Sequence, residues 1–477
     1  MQILLPVTYS ILFIFLILKV KFFDGLSLSK SQLIGLFLLK IISGLTSYCI
    51  YTYYYPHSDS YGYFQGSKNL FDQFFGHPTN PIPGWNASFD DTFYNNSRVI
   101  IYVNFLIQFL SFNNVFVHIL FFCFISLIGL TAFYKAFYKH FPTKKSVLIL
   151  GVYLVPSVLF WTSGIYKEAI AMFCIGFIIY LADFGFEKSF SLKRFICLVL
   201  LITLLFFLKV YIAAALLPLL AINWLISKTN DKQFLFKYFF FFLSFVVIFH
   251  LLSKTNNRLN IYQLIADKQA KAISEAQGGI FLANDSNFIR LDYNDSTALL
   301  LRPDSSYYVK SGSHFLSWKL DNMKDTTFVV NSSDPATYTL LYKVQPVNSV
   351  LKTQKMNPTF LGTLQKLPSA IISVFVQPTL FSIKNVLQLF SWIENMWLIL
   401  IIAIAILFFD KKILVKKEIL LFCLLFALIQ FAMIGLTTSA VGAMVRYKVT
   451  ALPFLFIVAM LCIDGEKLLK KLKRTKN

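Results

Sequence analysis

The chain has 477 residues, of which 57% are hydrophobic, 17% aromatic and only 14% charged. A soluble domain of this length could not bury that much apolar surface in a core, which excludes a purely aqueous fold. The formal charge of +21 raises nucleic acid as a partner, but the cations sit in short clusters between apolar runs, so they read as positive-inside anchors facing anionic lipid and no nucleic acid is expected.

In chain order, apolar runs predict spans near 3–20, 33–53, 115–137, 147–162, 168–184, 195–208, 210–226, 238–252, 390–409, 418–436 and 447–463. Met1–Val20 has no basic start and no small-residue cleavage site, so it reads as a retained span. The six cysteines all lie in apolar segments without metal-binding spacing, and no disulfide framework is implied. The expected fold is an all-α polytopic membrane protein of about 10–13 transmembrane helices with one mixed extracytoplasmic loop module. Three regions follow: 1–252, a transmembrane region with an outer loop at 54–97; 253–389, the loop module and an interfacial helix; and 390–477, a transmembrane region with a basic tail.

The basic clusters set the orientation. They are Lys139/Lys144/Lys145, Lys188/Lys193/Arg194, Lys228/Lys232/Lys237, Lys411/Lys412/Lys416/Lys417 and the tail from Lys467 to Lys476. They place the C-terminus in the cytoplasm of a multi-pass cell-membrane protein. The turn at 437–446, the Trp161–Glu168 junction, the turn at Lys209 and 253–389 are then expected outside. Segment 98–112 has only fifteen residues. If it crosses, 54–97 is cytoplasmic; if it lies in the interface or re-enters, 54–97 is outside, as its Asn, Ser and Tyr content favours. An N-out start then follows. Within the loop module, a polar helix is expected from Leu259 to Gln277, strands at Tyr307–Lys310, Thr326–Val330 and Tyr338–Val344, and an interfacial helix framed by Pro368 and Pro378.

Ionisable residues at the outer ends of spans mark candidate sites. The first group is His57, Asp59, Tyr61 and Tyr63: a carboxylate at a cavity mouth suits a general base or a divalent metal, and the rings suit a sugar face. Its plainer reading is an interfacial Tyr belt followed by a polar turn. The second is PSVLFWTSGIYKE (156–168), with Trp161, Lys167 and Glu168, where the lysine could hold a phosphate and the glutamate could simply complement a helix start. The third is Lys209, which could equally snorkel to the interface. The fourth is Arg446, Tyr447 and Lys448, two cations breaking the positive-inside trend. Glu394 is a weaker fifth.

An outward cavity with one carboxylate and several cations suits a lipid-linked sugar phosphate: the cations bind the leaving phosphate and the carboxylate takes a proton from an attacking hydroxyl. At SDSYGYF (58–64), PSVLFWTSGIYKE and RYKVTALPFLF (446–456) the chain resembles bacterial GT-C-type polytopic glycosyltransferases and exopolysaccharide-polymerase-like membrane proteins. The likeness covers the membrane part and not 253–366. It implies Asp59 as the catalytic carboxylate, acting on a polyprenyl-phosphate-linked sugar outside the cytoplasm, with Arg446 and Lys167 contacting the phosphate or lipid carrier. The acceptor, glycan or protein, is left open. Ser60 follows Asp59 where many such enzymes carry a second acidic residue. This leaves transferase against polymerase open, together with a divalent metal near Asp59. A transporter or flippase for a lipid-linked glycan is the alternative from another class, but the chain has no internal repeat and its outer charges cluster near one face. A third reading is an envelope scaffold that binds through 253–366.

Overall fold

The computed structural model describes residues 3–25, 27–54, 58–76, 87–186, 191–228, 233–255, 260–283, 287–292, 299–301, 307–309, 314–319, 325–329, 337–344, 349–351 and 356–474. Side chains are described within these ranges except at 87–96, 274–275, 472–474 and in the strands other than Leu282. His57, Lys188, Lys232 and the last three residues lie outside the described residues.

The N-terminal half runs α1 (Leu4–Lys19), α2 (Lys30–Cys49), α3 (Asp59–Phe74), α4 (Ala87–Ser111), α5 (Val115–His140), α6 (Lys145–Tyr153), α7 (Pro156–Trp161), α8 (Lys167–Ala182), α9 (Leu192–Leu208), α10 (Val210–Lys228) and α11 (Phe234–Thr255). The polar α12 (Ile261–Ala276) follows. Seven strands come next: β1 (Gly279–Ala283), β2 (Asn287–Asp292), β3 (Leu299–Leu301), β4 (Tyr307–Val309), β5 (His314–Lys319), β6 (Asp325–Val329) and β7 (Thr337–Val344). They form one antiparallel sheet in the order β3-β4-β7-β1-β2-β5-β6. The chain closes with α13 (Phe360–Val376), α14 (Val386–Leu407), α15 (Lys417–Thr437), α16 (Val441–Tyr447), α17 (Leu452–Leu461) and α18 (Gly465–Arg474).

Among the described residues, seven helical stretches are long and apolar enough to cross a membrane: Lys30–Tyr54, Val115–His140, Lys167–Gly185, Val210–Lys228, Phe234–Thr255, Val386–Leu407 and Lys411–Thr437. An eighth arises if the pair Val441–Thr450 and Leu452–Leu461, bent by 64°, counts as one span. The expected ten to thirteen are therefore not reached by length and composition, and the shortfall has visible causes. The apolar run at 147–162 is two helices of nine and six residues, because Pro156 lacks an N–H and disfavours helical backbone at Val155. Leu4–Lys19, Ser97–Ser111 and Phe360–Val376 are apolar but short. Two further expectations are corrected. Residues 59–74 are helical, not loop, because Ser58 caps them by accepting the Tyr61 N–H at 3.4 Å. Pro368 lies inside α13, whose start is instead capped by Thr359.

The centre of the bundle is the crossing of α5 and α8. A Cβ on Gly176 would lie 2.0 Å from the carbonyl oxygen of Gly129, and one on Gly129 would lie 2.3 Å from Cα of Phe173. Only hydrogen at both positions lets the backbones touch. Around this crossing Phe133, Phe137, Phe184, Phe422, Phe426 and Phe454 form a buried aromatic cluster. By contrast, only 6% of the apolar stretch of α11 is buried, so that helix packs on the outside of the bundle.

Contacts sort the helix termini into two ends. At one end lie Trp161–Glu168, Lys209, Arg446 and Asp59, joined by ion pairs. At the other, Lys139 and His140 hold Asp183 at 2.7 and 2.6 Å, Lys135 and Lys145 donate to the carbonyls of Phe22 and Ser27, and Phe409 bridges Ile463. Ser47 near the end of α2 meets the Tyr166 hydroxyl at 2.7 Å, and α5 runs from His118, bonded to Ser111, down to His140. Because α2 ends and α5 begins at the same end, α3 and α4 make no net crossing. Segment 98–112 is the apolar half of the 25-residue α4.

Candidate functional site

The site is built from breaks in spans. Pro156 starts α7 at its first turn, where a missing N–H costs nothing. The Glu394 carboxylate of α14 accepts the Ser157 N–H at 2.6 Å, fixing that start. After Trp161 the chain turns at Gly164, where a Cβ would sit 2.5 Å from the Tyr166 ring. The turn is pinned from below: Lys40 Nζ donates to Thr162 Oγ1 at 2.8 Å and the Cys123 thiol to the Ser163 carbonyl at 2.9 Å. Helix α8 then opens on Lys167 and Glu168. Lys209 is the single non-helical residue between α9 and α10. Arg446 is the penultimate residue of α16, just before the elbow into α17. Asp59 is the first residue of α3.

These four places, far apart in sequence, converge. Glu168 is fully buried, and its Oε1 accepts Lys209 Nζ at 2.6 Å and Arg446 Nε at 3.1 Å. Arg446 Nη1 reaches Asp59 Oδ2 at 2.6 Å. The Asp59 side chain is 50% exposed against 12% for Arg446, so the chain of charges runs from a wet carboxylate inward to a dry one. The Arg446 guanidinium lies 5.4 Å from the Trp161 ring and 5.1 Å from the Tyr166 ring. Lys209 lies 4.9 Å from the Tyr447 ring and Lys167 5.5 Å from the Tyr63 ring. Such aromatic faces stabilise desolvated cations. Tyr63, buried beside Asp59, has its hydroxyl pKa pushed well above the usual value, by burial first and then by that carboxylate. It stays a protonated hydroxyl, 3.5 Å from Asp59 Oδ2. With Lys167, three cations meet two carboxylates here among the described residues, which together carry one formal positive charge.

The sequence-selected residues Asp59, Tyr63, Trp161, Lys167, Glu168, Lys209, Arg446 and Tyr447 thus share one site. Tyr61 is 45% exposed on the first turn of α3, and His57 lies outside the described residues. Lys448 does not join Arg446 as a second outward cation. Two residues further along a helical turn it points to the other side, is 1% exposed and donates to Asn395 Oδ1 of α14. Sequence reasoning missed Tyr166 as a wall of the site, Tyr211 beside Lys209, and Lys40 beneath it. Lys40 alone carried a signal, a cation in mid-span.

Among the described residues no three His, Cys, Asp or Glu side chains come together to hold a metal. The donor set agrees: beside Asp59 stands the Arg446 guanidinium, a cation where a metal would need ligands. What the arrangement offers is an anion-binding face of arginine and lysine, aromatic platforms, and one solvated carboxylate at its rim. No protein-family model, no curated protein and no solved structure matches the chain.

Proposed function

We propose that the protein is an integral-membrane glycosyltransferase that takes sugar from a polyprenyl-phosphate-linked donor at the extracytoplasmic face, in cell-envelope glycan or polysaccharide synthesis. The observation that carries this reading is the Asp59–Arg446–Glu168–Lys209 chain with Lys167 beside it, a cluster of three cations and two carboxylates flanked by aromatic rings at the ends of apolar helices. Dissolved phosphates need no such position; a phosphate tethered to a lipid tail arrives at it from the bilayer. The basic loops at the opposite end (Lys139, Lys144, Lys145 and Lys411–Lys417) support a cytoplasmic side there and, with it, an extracytoplasmic reading of the site.

In this mechanism the acceptor hydroxyl attacks the anomeric carbon of the donor and Asp59 takes its proton. The anomeric carbon–phosphate oxygen bond breaks, and the polyprenyl phosphate leaves with the electron pair, its charge met by Arg446 and Lys167. Glu168 and Lys209 keep Arg446 aimed. A polymerase, adding one lipid-linked glycan to another, uses the same steps.

The test is sugar transfer by purified protein in nanodiscs supplied with polyprenyl-phosphate-linked sugars. The unmodified chain should transfer, and Asp59→Asn should lose at least about 100-fold, in the range general-base removal costs. Equal transfer by both would remove Asp59 from the mechanism. Transfer by neither, with movement of a labelled carrier between leaflets, would replace the enzyme by a flippase.

A further inference from the structure

The end of the bundle opposite the site carries a surface that the proposed reaction does not use. Helix α18 follows α17 through a short backbone bridge: the Asp410 N–H donates to the Cys462 carbonyl and the Asp464 N–H to the Phe408 carbonyl, both at 2.8 Å, with Phe409 paired to Ile463. Asp464 then opens α18, its carboxylate accepting the Lys467 N–H at 3.1 Å. The same bridge sets the helix beside the lysine-rich turn Lys411–Lys416, which Asp410 caps by accepting the Lys412 N–H at 3.0 Å. Lys467 Nζ lies 3.5 Å from the Phe409 carbonyl oxygen and Lys471 Nζ 5.5 Å from the Phe408 ring. Two basic segments far apart in sequence thus become one surface. Residues 410–418 and 464–477 together carry ten lysines and arginines against four acids.

This surface is apolar as well as basic. In α18, Lys467, Lys470 and Lys471 are three and four residues apart and share one face, while Leu468 and Leu469 fall on the other. Leu469 is 59% exposed, Val415 in the adjoining turn 80% and Leu407 at the end of α14 76%. Nucleic acid or an acidic protein would complement the lysines and leave these side chains in water. The boundary of a bilayer offers phosphate to the first and acyl chain to the second, and it is here that the apolar helices α14 and α17 end and α15 begins. We propose that α18 and the 411–417 turn together form a binding surface for anionic phospholipid, with the lysines on headgroup phosphates and Leu469 and Val415 in the acyl boundary. The positive-inside pattern asks only for charge on one side of the membrane. The joined surface adds a preference for one class of lipid, shared between two segments.

The experiment places the full chain, lacking its six native cysteines, in nanodiscs of phosphatidylcholine alone or mixed with phosphatidylglycerol. An environment-sensitive dye on Leu469→Cys, and its quenching by aqueous iodide, report whether α18 inserts. Phosphatidylglycerol should blue-shift the dye and protect it from iodide, and pure phosphatidylcholine should do neither. Lys470→Gln with Lys471→Gln in the helix, and Lys411→Gln with Lys412→Gln in the turn, should each raise the phosphatidylglycerol needed for half-maximal protection at least about tenfold. Arginine at the same positions keeps the charge and should keep the protection. Equal protection in pure phosphatidylcholine, or protection that neither glutamine pair alters, would overturn the surface. Dependence on the helix pair alone would overturn it too, by separating the turn from α18. Stronger protection by an RNA oligonucleotide or by polyglutamate than by phosphatidylglycerol would replace the lipid with that partner. Sugar transfer is read at no step, so the outcome is independent of the reaction proposed at Asp59.

Discussion

Arg446 divides its guanidinium between two carboxylates, Nε to Glu168 and Nη1 to Asp59, and the two differ in solvation. Glu168 is dry and takes two cations on one oxygen; Asp59 is half wet. Removing one member of a buried pair strands the others, at about 3–5 kcal/mol, whereas an exposed pair is worth about 0–1 kcal/mol. Glu168→Gln should therefore lower the unfolding free energy, read by denaturant titration in mixed micelles, by roughly the larger amount, and Asp59→Asn by no more than the smaller. Adding Lys209→Met to Glu168→Gln should cost less than the sum of the two single changes, since the second removes a charge the first has stranded. A large loss with Asp59→Asn would mean that Asp59 holds the fold and has no separate role at the rim. The residue types at this site were readable because acids and bases are rare in apolar sequence. Their pairing was not, since nothing in a sequence places position 59 against 446. Tyr211 carried no signal at all, a tyrosine in the first turn of a helix being ordinary.

At the scale of elements, the charge that interrupts an apolar run marked the joint correctly at Lys209, where α9 turns into α10, whereas the expected span 447–463 hid the break before Pro453, at the start of α17. The run at 147–162 hid its joint because Pro156 starts α7 instead of kinking a longer helix. Helix α3 was hidden because its polar and apolar residues alternate without a clear period, and only the Ser58 cap announces it. The glycine crossing of α5 and α8 is likewise visible only in three dimensions, although it sets the height at which Lys167 and Glu168 stand. It is testable against a control in another span. Gly176→Ala would press a methyl into the Gly129 backbone at 2.0 Å, so the helices must part, at about 1–3 kcal/mol. Gly35→Ala in α2 meets nothing within 4 Å and should leave stability within about 1 kcal/mol of the parent, on the favourable side. Equal effects in the same micelle titration would show that the backbones do not touch at the crossing.

For the whole molecule, the consequential fact is which termini share an end of the bundle. Charge counting alone left 54–97 on either side, because it depended on whether 98–112 crosses. The 2.6 Å contact from Arg446 to Asp59 removes that freedom: the start of α3 and the end of α16 are at one end, whichever side of the membrane that end faces. The lysines of 411–417 are at the other, one length of α15 away, beside the Phe409–Ile463 bridge. Single cysteines in a background lacking the six native ones separate the relative from the absolute statement. Ser58→Cys and the exposed Gly442→Cys should react with a membrane-impermeant maleimide under the same condition, and Lys412→Cys under the opposite one. Positive-inside orientation further expects Ser58 and Gly442 to label in intact cells and Lys412 only after permeabilisation. If all three patterns invert together, the architecture stands and the site faces the cytoplasm, which removes the extracytoplasmic donor. If Ser58 and Gly442 label from opposite sides, Asp59 cannot meet Arg446, and the site is dismantled along with every role assigned to it.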